Sequence, residues 1–380
     1  MEILIDVFGS DDDIDVPIYA ACNMLDNVNA KFVLVGRKAD IRSCIIKRYG
    51  SNSNMYLRRI SIIDCKDYIT NNEEPAWAIK NKKESSIVKA YDYMKQKDNV
   101  VFISAGSTGA LMAGALLKVK RIPGIHRPAL TTILPTSNPD KKVVFLDSGA
   151  NPQAKDISIV QYALLGEIYS KSILGVNSPK ISLLNIGEEA EKGTPELKEV
   201  YKQLKAKFPN FIGNIEPRYI LSGNTDVIVC DGLLGNIALK TAEGVVRTLK
   251  DVLKETFTSS VLNSFKGLMV KSTIKDVLKT YDYQANGGAV LLGVKKPVIK
   301  VHGSSKIETF EKAIIQAQYM LENKIVEKIE VELKKLDNTD DIDEKNDDKI
   351  IEKTNIVDQA EQKNTAEVNE INNEYNNEDI

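Results

Sequence analysis

Residues 102–119 read FISAGSTGALMAGALLKV. Apolar and small residues run into Gly-Ser-Thr-Gly, and a small-residue helical pattern begins at Ala110, which reads as strand, turn, helix. Gly106 and Gly109 would let a strand turn tightly into a closely packed helix. The same junction aims backbone N–H groups and the positive end of a helix dipole at whatever lies over the turn, which suits a phosphate. A single Gly-rich turn serves packing as readily as binding, so the rest of the chain has to decide.

Outward from this junction, short β-branched runs alternate with amphipathic helical stretches: "EILIDVF", "KFVLVG", "YLRRISII", "NVVFISA", "ALTTIL", "KVVFLD", "KISLLNIG", "DVIVCDG" and "PVIKVHG". The alternation predicts an α/β fold, a three-layer α/β/α sandwich with a Rossmann-like, largely parallel sheet. The runs end in "DVFGSD", "SAGSTG", "LDSGAN", "NIGEE", "CDGLLGN" and "HGSS". In an open parallel sheet the carboxyl ends converge on one crevice where ligands bind, so these polar ends are expected together on one edge. No Gly-x-Gly-x-x-Gly follows the first strand and no Gly-x-x-x-x-Gly-Lys-Ser/Thr occurs, which leaves a small phosphate or one carried by another molecule.

Composition bounds the class. The 380 residues include 43% hydrophobic and 27% charged ones, with no apolar run long enough to span a bilayer. The acidic start "MEILIDVFGSDDD" does not resemble a signal peptide, and a cytoplasmic protein is expected. Four cysteines without CxxC spacing point to buried free thiols, and two histidines, His126 and His302, cannot build a multi-histidine metal site. The net charge of −2 hides a division. Residues 337–380 hold 15 Asp/Glu against 4 Lys, whereas residues 1–336 hold 47 Lys/Arg against 38 Asp/Glu. An acidic, Asn-rich tail of this kind buries too little apolar area to offset chain entropy and is expected to be disordered. The basic body favours an acidic partner or an anionic surface, although scattered lysines also serve plain solubility.

Several groups could do chemistry. Asp6, Asp11, Asp147, Glu188, Glu189 and Asp231 stand at or beside strand ends, as bases, lysine partners or helix caps. The serine pairs of "KKESS" (82–86) and "HGSS" (302–305) look like helix starts, each beside a cation, Lys82 and Lys83 or His302. In "GNIALKTAEG" (235–244), Asn236 and Lys240 lie four apart on one helix face, which would aim a Lys240 buried to its amine over the crevice. Residues 252–281 read as two short amphipathic helices divided at Gly267. Val261, Leu262, Phe265, Leu268 and Met269 make one stripe and Val270, Ile274, Val277 and Leu278 a second, among Lys254, Lys266, Lys271, Lys275 and Lys279. Lysine-ringed stripes suit a helix lying on anionic lipid, and they equally suit packing in a core or a dimer interface.

With these motifs assembled, the chain resembles the bacterial acyl carrier protein:phosphate acyltransferase family of phospholipid synthesis. The matching segments run in family order over roughly residues 1–320: "IDVFGSD", "EEPAWAIKNKKESS", "SAGSTGALMAG", "RIPGIHRPAL", "LDSGAN", "LLNIGEEAEKG", "NFIGNIE", "VCDGLLGNIALKTAEG", "DYQANGGAVLLG" and "KVHGSS". Departures from the family pattern are Ser10 in its "GGD", Ser107 for Asn in "SAGNTGA", Ser148 for Val in "DVGAN", "PQAKDISI" after Asn151, and "EPRY" at 216–219.

The resemblance implies transfer of a fatty acyl group from acyl carrier protein to inorganic phosphate, giving acyl phosphate. It also implies a fold similar to phosphotransacetylases and isopropylmalate dehydrogenase-like enzymes, with residues 1–336 as the catalytic domain. A homodimer is implied, as is loose attachment to the inner face of the cell membrane, where the membrane glycerol-3-phosphate acyltransferase is an expected partner. No metal, organic cofactor or nucleic acid is expected. The catalytic candidates are Lys240, His302, Asp231 and Asn236. Phosphate and substrate candidates are Asp6, Gly9 and Asp11 after the first strand, Lys83, and Ser104, Gly106, Ser107, Thr108 and Gly109 in the opening junction. Further along come Asp147, Gly149 and Asn151, then Asn185, Gly187, Glu188 and Glu189, then Gly232 and Gly235, and finally Gly303 and Ser304. Val261, Leu262, Phe265, Leu268 and Met269 are the expected membrane contact. A dehydrogenase of the related fold and a non-catalytic scaffold binding acyl carrier protein are the rival readings, the first disfavoured by the missing adenosine fingerprint.

Overall fold

Eleven strands make one sheet in the computed structural model, which describes residues 1–10, 14–280 and 287–336, apart from the side chains of residues 261, 262, 276 and 278–280. In chain order they are β1 (Glu2–Asp6), β2 (Lys31–Gly36), β3 (Ile60–Asp64), β4 (Val100–Ser104), β5 (Ala129–Pro135), β6 (Lys142–Leu146), β7 (Ile181–Leu184), β8 (Phe211–Ile215), β9 (Val227–Val229), β10 (Ala289–Leu292) and β11 (Val298–Lys300). Their spatial order is β3-β2-β1-β4-β11-β10-β5-β6-β9-β7-β8. The central strands are Val/Ile/Leu runs buried on both faces, as expected where helices cover a sheet from above and below. The expected α/β class and largely parallel, helix-covered sheet are what the chain adopts. All eleven strands fall within a compact unit, Met1–Lys335. Asp11 and residues 337–380, where the acidic tail was expected to be disordered, lie outside the described residues.

The expectation of one ligand-binding edge needs correction. Strands β3, β2, β1, β4 and β11 run parallel to one another, as do β6, β9, β7 and β8. Between the blocks, β10 is antiparallel to β11 and β5, and β5 is antiparallel to β6. The second block therefore runs opposite to the first, and the carboxyl ends of β6, β7 and β9 point away from those of β1, β4 and β11. Sequence alternation carries no sign for strand direction, so six similar turns read as one edge.

The two blocks instead share a face. Leu4, Phe102 and Val298 pack with the helices Ser86–Met94 and Thr108–Gly114, and Ala150, in the loop after β6, belongs to the same apolar cluster as Leu111. Leu134, Val143 and Phe145 pack against Ala238 and Leu239 of the helix Gly232–Thr258. Period-2 alternation along β5 puts Leu130, Thr132 and Leu134 on one side, so both clusters lie under the same sheet surface.

The pair of short helices expected at 252–281 is also different. Residues 252–258 end the 27-residue helix Gly232–Thr258, and one 20-residue helix, Val261–Thr280, runs through Gly267 without interruption. Gly267 lies against Phe257, so the second helix folds back on the first and the glycine serves their close approach.

Candidate functional site

The ends of β1, β4 and β11 carry the first group of candidate residues. Asp6 is 1% exposed; its carboxylate accepts from the Phe8 N–H at 3.1 Å and from the Ser104 hydroxyl at 2.8 Å. Ser104 Oγ in turn accepts the Gly106 N–H at 3.0 Å, so a carboxylate–hydroxyl–amide relay holds the turn that opens the helix Thr108–Gly114. Burial pushes the Asp6 carboxyl up to about 6, against the opposing pull of these bonds, the Ser86 hydroxyl and the Lys300 charge. The turn after β1 is pressed onto the same place: Gly9 has φ +85°, and a Cβ there would stand 2.4 Å from Gly106 Cα. Only glycine meets both conditions.

The expected cradle is thereby narrowed. The Gly106 N–H is committed to Ser104, and the first-turn amides of Ser107, Thr108 and Gly109 are those a helix start leaves without intrahelical partners. Ser107, standing where the family pattern has Asn, caps the helix by accepting from the Ala110 N–H at 3.4 Å. On the neighbouring strand end, His302 is exposed, with its Nδ1 2.9 Å from Ser304 Oγ and accepting the Ser304 N–H at 3.2 Å. Ser10 donates to the Gly303 carbonyl at 3.4 Å, linking the β1 and β11 turns. Lys300, at the last position of β11, donates from Nζ to the carbonyls of Ala105 at 2.8 Å and Val301 at 2.5 Å.

The serine pairs do precede helices, Ser86–Met94 and Ile307–Glu322, but no serine side chain caps either one. Ser85 donates instead to the Lys82 carbonyl at 2.7 Å. Lys82 is paired with Glu73 at 2.8 Å and Asp67 at 3.2 Å, and Lys83 is exposed.

The ends of β6 and β9, which point the other way, carry a second group of candidate residues. Asp147 is fully buried, and its two oxygens accept from the amides of Leu130, Gly149, Ala150 and Asn151 at 2.7–3.1 Å and from Asn151 Nδ2 at 2.9 Å. Burial raises its pKa while the bonds from Gly149, Ala150 and Asn151 oppose the rise. A carboxylate so fully engaged shapes its loop and leaves little lone-pair capacity for a proton in transit. Asn151 is fixed further by the Pro128 carbonyl and the Tyr162 hydroxyl. Ser148, the departure from Val, is hydrogen-bonded to Thr132 Oγ1 and the Leu130 carbonyl, both at 2.9 Å, so this polar substitution is satisfied in its buried place.

Against this loop lies the start of the helix Gly232–Thr258. Asp231 caps it, accepting from the Leu233 and Leu234 amides at 2.8 and 2.9 Å, the structural use that strand-end carboxylates commonly have. Gly232 donates to the Asn151 carbonyl at 2.9 Å. A Cβ on Gly235 would come within 1.9 Å of the Asp147 carbonyl oxygen, so the helix approaches the loop closer than any other residue allows. Asn236 packs over Gly149 on the exposed side. Lys240 is not buried to its amine: its side chain is 56% exposed and Nζ pairs with Glu243 at 2.8 Å, because the helix face that carries it turns to solvent.

The β7 end closes on itself. Asn185 is buried, donating to the Lys192 carbonyl at 3.0 Å and accepting the Ile186 N–H at 2.8 Å. Gly187 is buried, Glu188 and Glu189 are exposed, and the Glu189 carbonyl accepts from Asn214. All four cysteines are buried free thiols, as expected.

Lys300 is the site residue that motif reading passed over. The signal was present, since "EILID", "VVFIS" and "PVIK" end in Asp, Ser and Lys, polar groups closing three apolar runs. Only their adjacency in the sheet makes them a set.

The profile of the family described as "Fatty acid synthesis protein" matches residues 1–328. A protein from Clostridium novyi named "Phosphate acyltransferase" is 43% identical over 329 residues, 87% of this chain and 97% of its own length. Another so named, from Clostridium acetobutylicum, is 44% identical over 336 residues, 88% of this chain and 100% of its own. Among solved structures, a phosphotransacetylase from Streptococcus pyogenes superposes with a TM-score of 0.55 at 17% identity, covering 84% of this chain and 94% of that one. A phosphotransacetylase from Staphylococcus aureus gives 0.53 at 17%, with the same coverage. These two likenesses concern the fold.

Proposed function

Because the chain belongs to the fatty acid synthesis protein family, with relatives named phosphate acyltransferase at over 40% identity along most of its length, we propose that it transfers an acyl group to inorganic phosphate. The donor in this reading is the thioester of acyl carrier protein, and the product acyl phosphate feeds phospholipid synthesis. The observation that carries the reading is the Asp6–Ser104–Gly106 relay, which fixes a helix-opening turn beside Lys300 and His302. Phosphate at neutral pH is already a competent nucleophile, so the protein has to supply placement, neutralisation of charge and stabilisation of the oxyanion that forms at the thioester carbon. The amides of Ser107, Thr108 and Gly109 take the phosphate, and His302 faces the reacting groups. Asn236, held over the Gly149 loop, serves the acyl donor. Attack by phosphate forms the C–O bond, collapse of the tetrahedral intermediate expels the carrier thiolate, and no covalent enzyme intermediate is needed. Fixed orientation of this kind is worth about 7–11 kcal/mol, and each oxyanion donor about 3–4.

Homodimerisation and peripheral attachment to an anionic membrane belong to the same proposal. Val245, Leu249 and Val252 on one helix and Phe265, Leu268 and Met269 on the next are exposed apolar residues, more than half accessible in each case. Grouped exposure of this kind marks a surface that meets something apolar. No described helix is long and apolar enough to cross a membrane.

The deciding assay incubates the protein with long-chain acyl carrier protein and traps product with hydroxylamine, with and without phosphate. Phosphate-dependent hydroxamate is expected; equal signal without phosphate would overturn the reading.

A further inference from the structure

The last residues of β1, β4 and β11 stand at one level of the sheet. Ser104 and Lys300 are register partners, and Asp6 lies one residue beyond the paired Ile5 and Ile103. Paired residues of neighbouring strands project to the same side, and alternation places all three on the side that Leu4, Phe102 and Val298 share with the helices Ser86–Met94 and Thr108–Gly114. The result is a row of carboxyl, hydroxyl and ammonium groups across three strands. Ser104 joins Asp6 to the Gly106 amide. Lys300 supplies the other joint, because its Nζ reaches both the Ala105 carbonyl, just before Gly106, and the Val301 carbonyl, just before His302.

One ammonium group therefore extends, past the last sheet hydrogen bond from the Val301 N–H to the Ser104 carbonyl at 2.9 Å, the link between two turns that come from different strands. Charge-assisted bonds of this length resist deformation more than neutral ones. A purely mechanical link between two carbonyls needs only a neutral donor or a water, whereas half-burying a lysine costs desolvation. The charge is useful where a phosphate dianion has to be held, and the geometry is useful because small misplacement of reacting groups costs large factors in rate.

Resting on the phosphate chemistry proposed above, we infer that Lys300 is a positioning residue. It clamps the turn after β4 against the His302 turn, so that the phosphate-binding amides and the imidazole keep one fixed separation. The consequence falls on turnover rather than on capture of the acyl donor, which no atom of Lys300 needs to touch.

The test is Lys300→Met in the full chain, which keeps the length and removes both charge and donors. Folding is checked by circular dichroism, and kcat is expressed per folded molecule. The expected result is a kcat lower by about tenfold or more with the KM for acyl carrier protein thioester within about threefold of wild type. A kcat within about twofold of wild type would overturn the inference, as would a loss confined to KM of the acyl donor. If Lys300→Met does not fold, Lys300→Gln, whose neutral head is one atom shorter and cannot span both carbonyls, is judged by the same criterion. Absence of phosphate-dependent product from the wild-type protein would instead defeat the proposed function, so the two failures are distinguishable.

Discussion

Asp6 combines its proposed site role with a cost to stability. Folded, it keeps its proton up to about pH 6, whereas the ordinary value of an aspartate is 3.8. Between those values the native state binds more protons than the unfolded chain, so stability falls as pH rises through the window and stays lowered above it. A rise of this size corresponds to about 3 kcal/mol. Asp6→Asn removes the titration while leaving an amide oxygen for the Phe8 N–H. The difference in melting temperature between variant and wild type should therefore grow in the variant's favour by several degrees from pH 4 to pH 7. Parallel melting curves across that range would show that the burial cost is absent. Phosphate-dependent activity of the variant should fall about tenfold, because an amide can no longer serve as the charged anchor of the Ser104–Gly106 relay. Lys240 teaches the complementary lesson: helical spacing placed it on a face with Asn236, but which way that face turned was decided by packing.

At the scale of elements, two of the three glycines in the helix Gly232–Thr258 make opposite demands. Gly235 is pressed against the Asp147 carbonyl oxygen, while a Cβ on Gly244 would meet nothing within 4 Å. Gly235→Ala must push the helix off the β6 loop, and a loss of about 2–3 kcal/mol with a matching drop in activity is expected. Gly244→Ala should stabilise by about 0.5–1 kcal/mol, since an open helical position gains propensity without a clash. Urea titration of both variants checks the pair; equal effects would contradict the close approach. The turns after β4 and β9 were readable as helix starts, and both are. That Ser85 and Ser304 cap nothing was not readable, because a serine before a helix chooses between an amide ahead and a carbonyl behind, and the loop geometry selects.

For the whole molecule, the exposed pair Phe265 and Met269, 65% and 73% accessible, is the simplest handle on the proposed membrane attachment. Replacing both with Glu should abolish flotation with anionic vesicles while activity on soluble acyl carrier protein persists; unchanged flotation would remove this helix face from the proposal. Val261 and Leu262, placed in the same stripe by the sequence, have side chains outside the described residues. Truncation after Leu336 is expected to leave the melting temperature within about 2 °C, since residues 337–380 are too acidic and too poor in apolar groups to add a core. A drop well beyond that would show that the acidic segment packs on the body.

The sequence by itself determined the class of fold, nine of the eleven strands, the Gly-rich turns and the family, because each is written in local spacing: period-2 runs, helix starts, and motifs held within a few residues. Strands β8 and β10 were not among the runs it marked. Strand direction, and with it the division of the polar ends between two opposed blocks, was settled only in the tertiary structure. Antiparallel β10 and β5 reverse the sheet between those blocks, and no local pattern records on which side of a neighbour a strand will lie. The Asp6–Ser104–Lys300 row has the same origin. Its successive members lie far apart in the chain yet about one strand spacing apart in the fold, and that proximity comes from hydrogen-bond register between strands that the chain itself keeps distant.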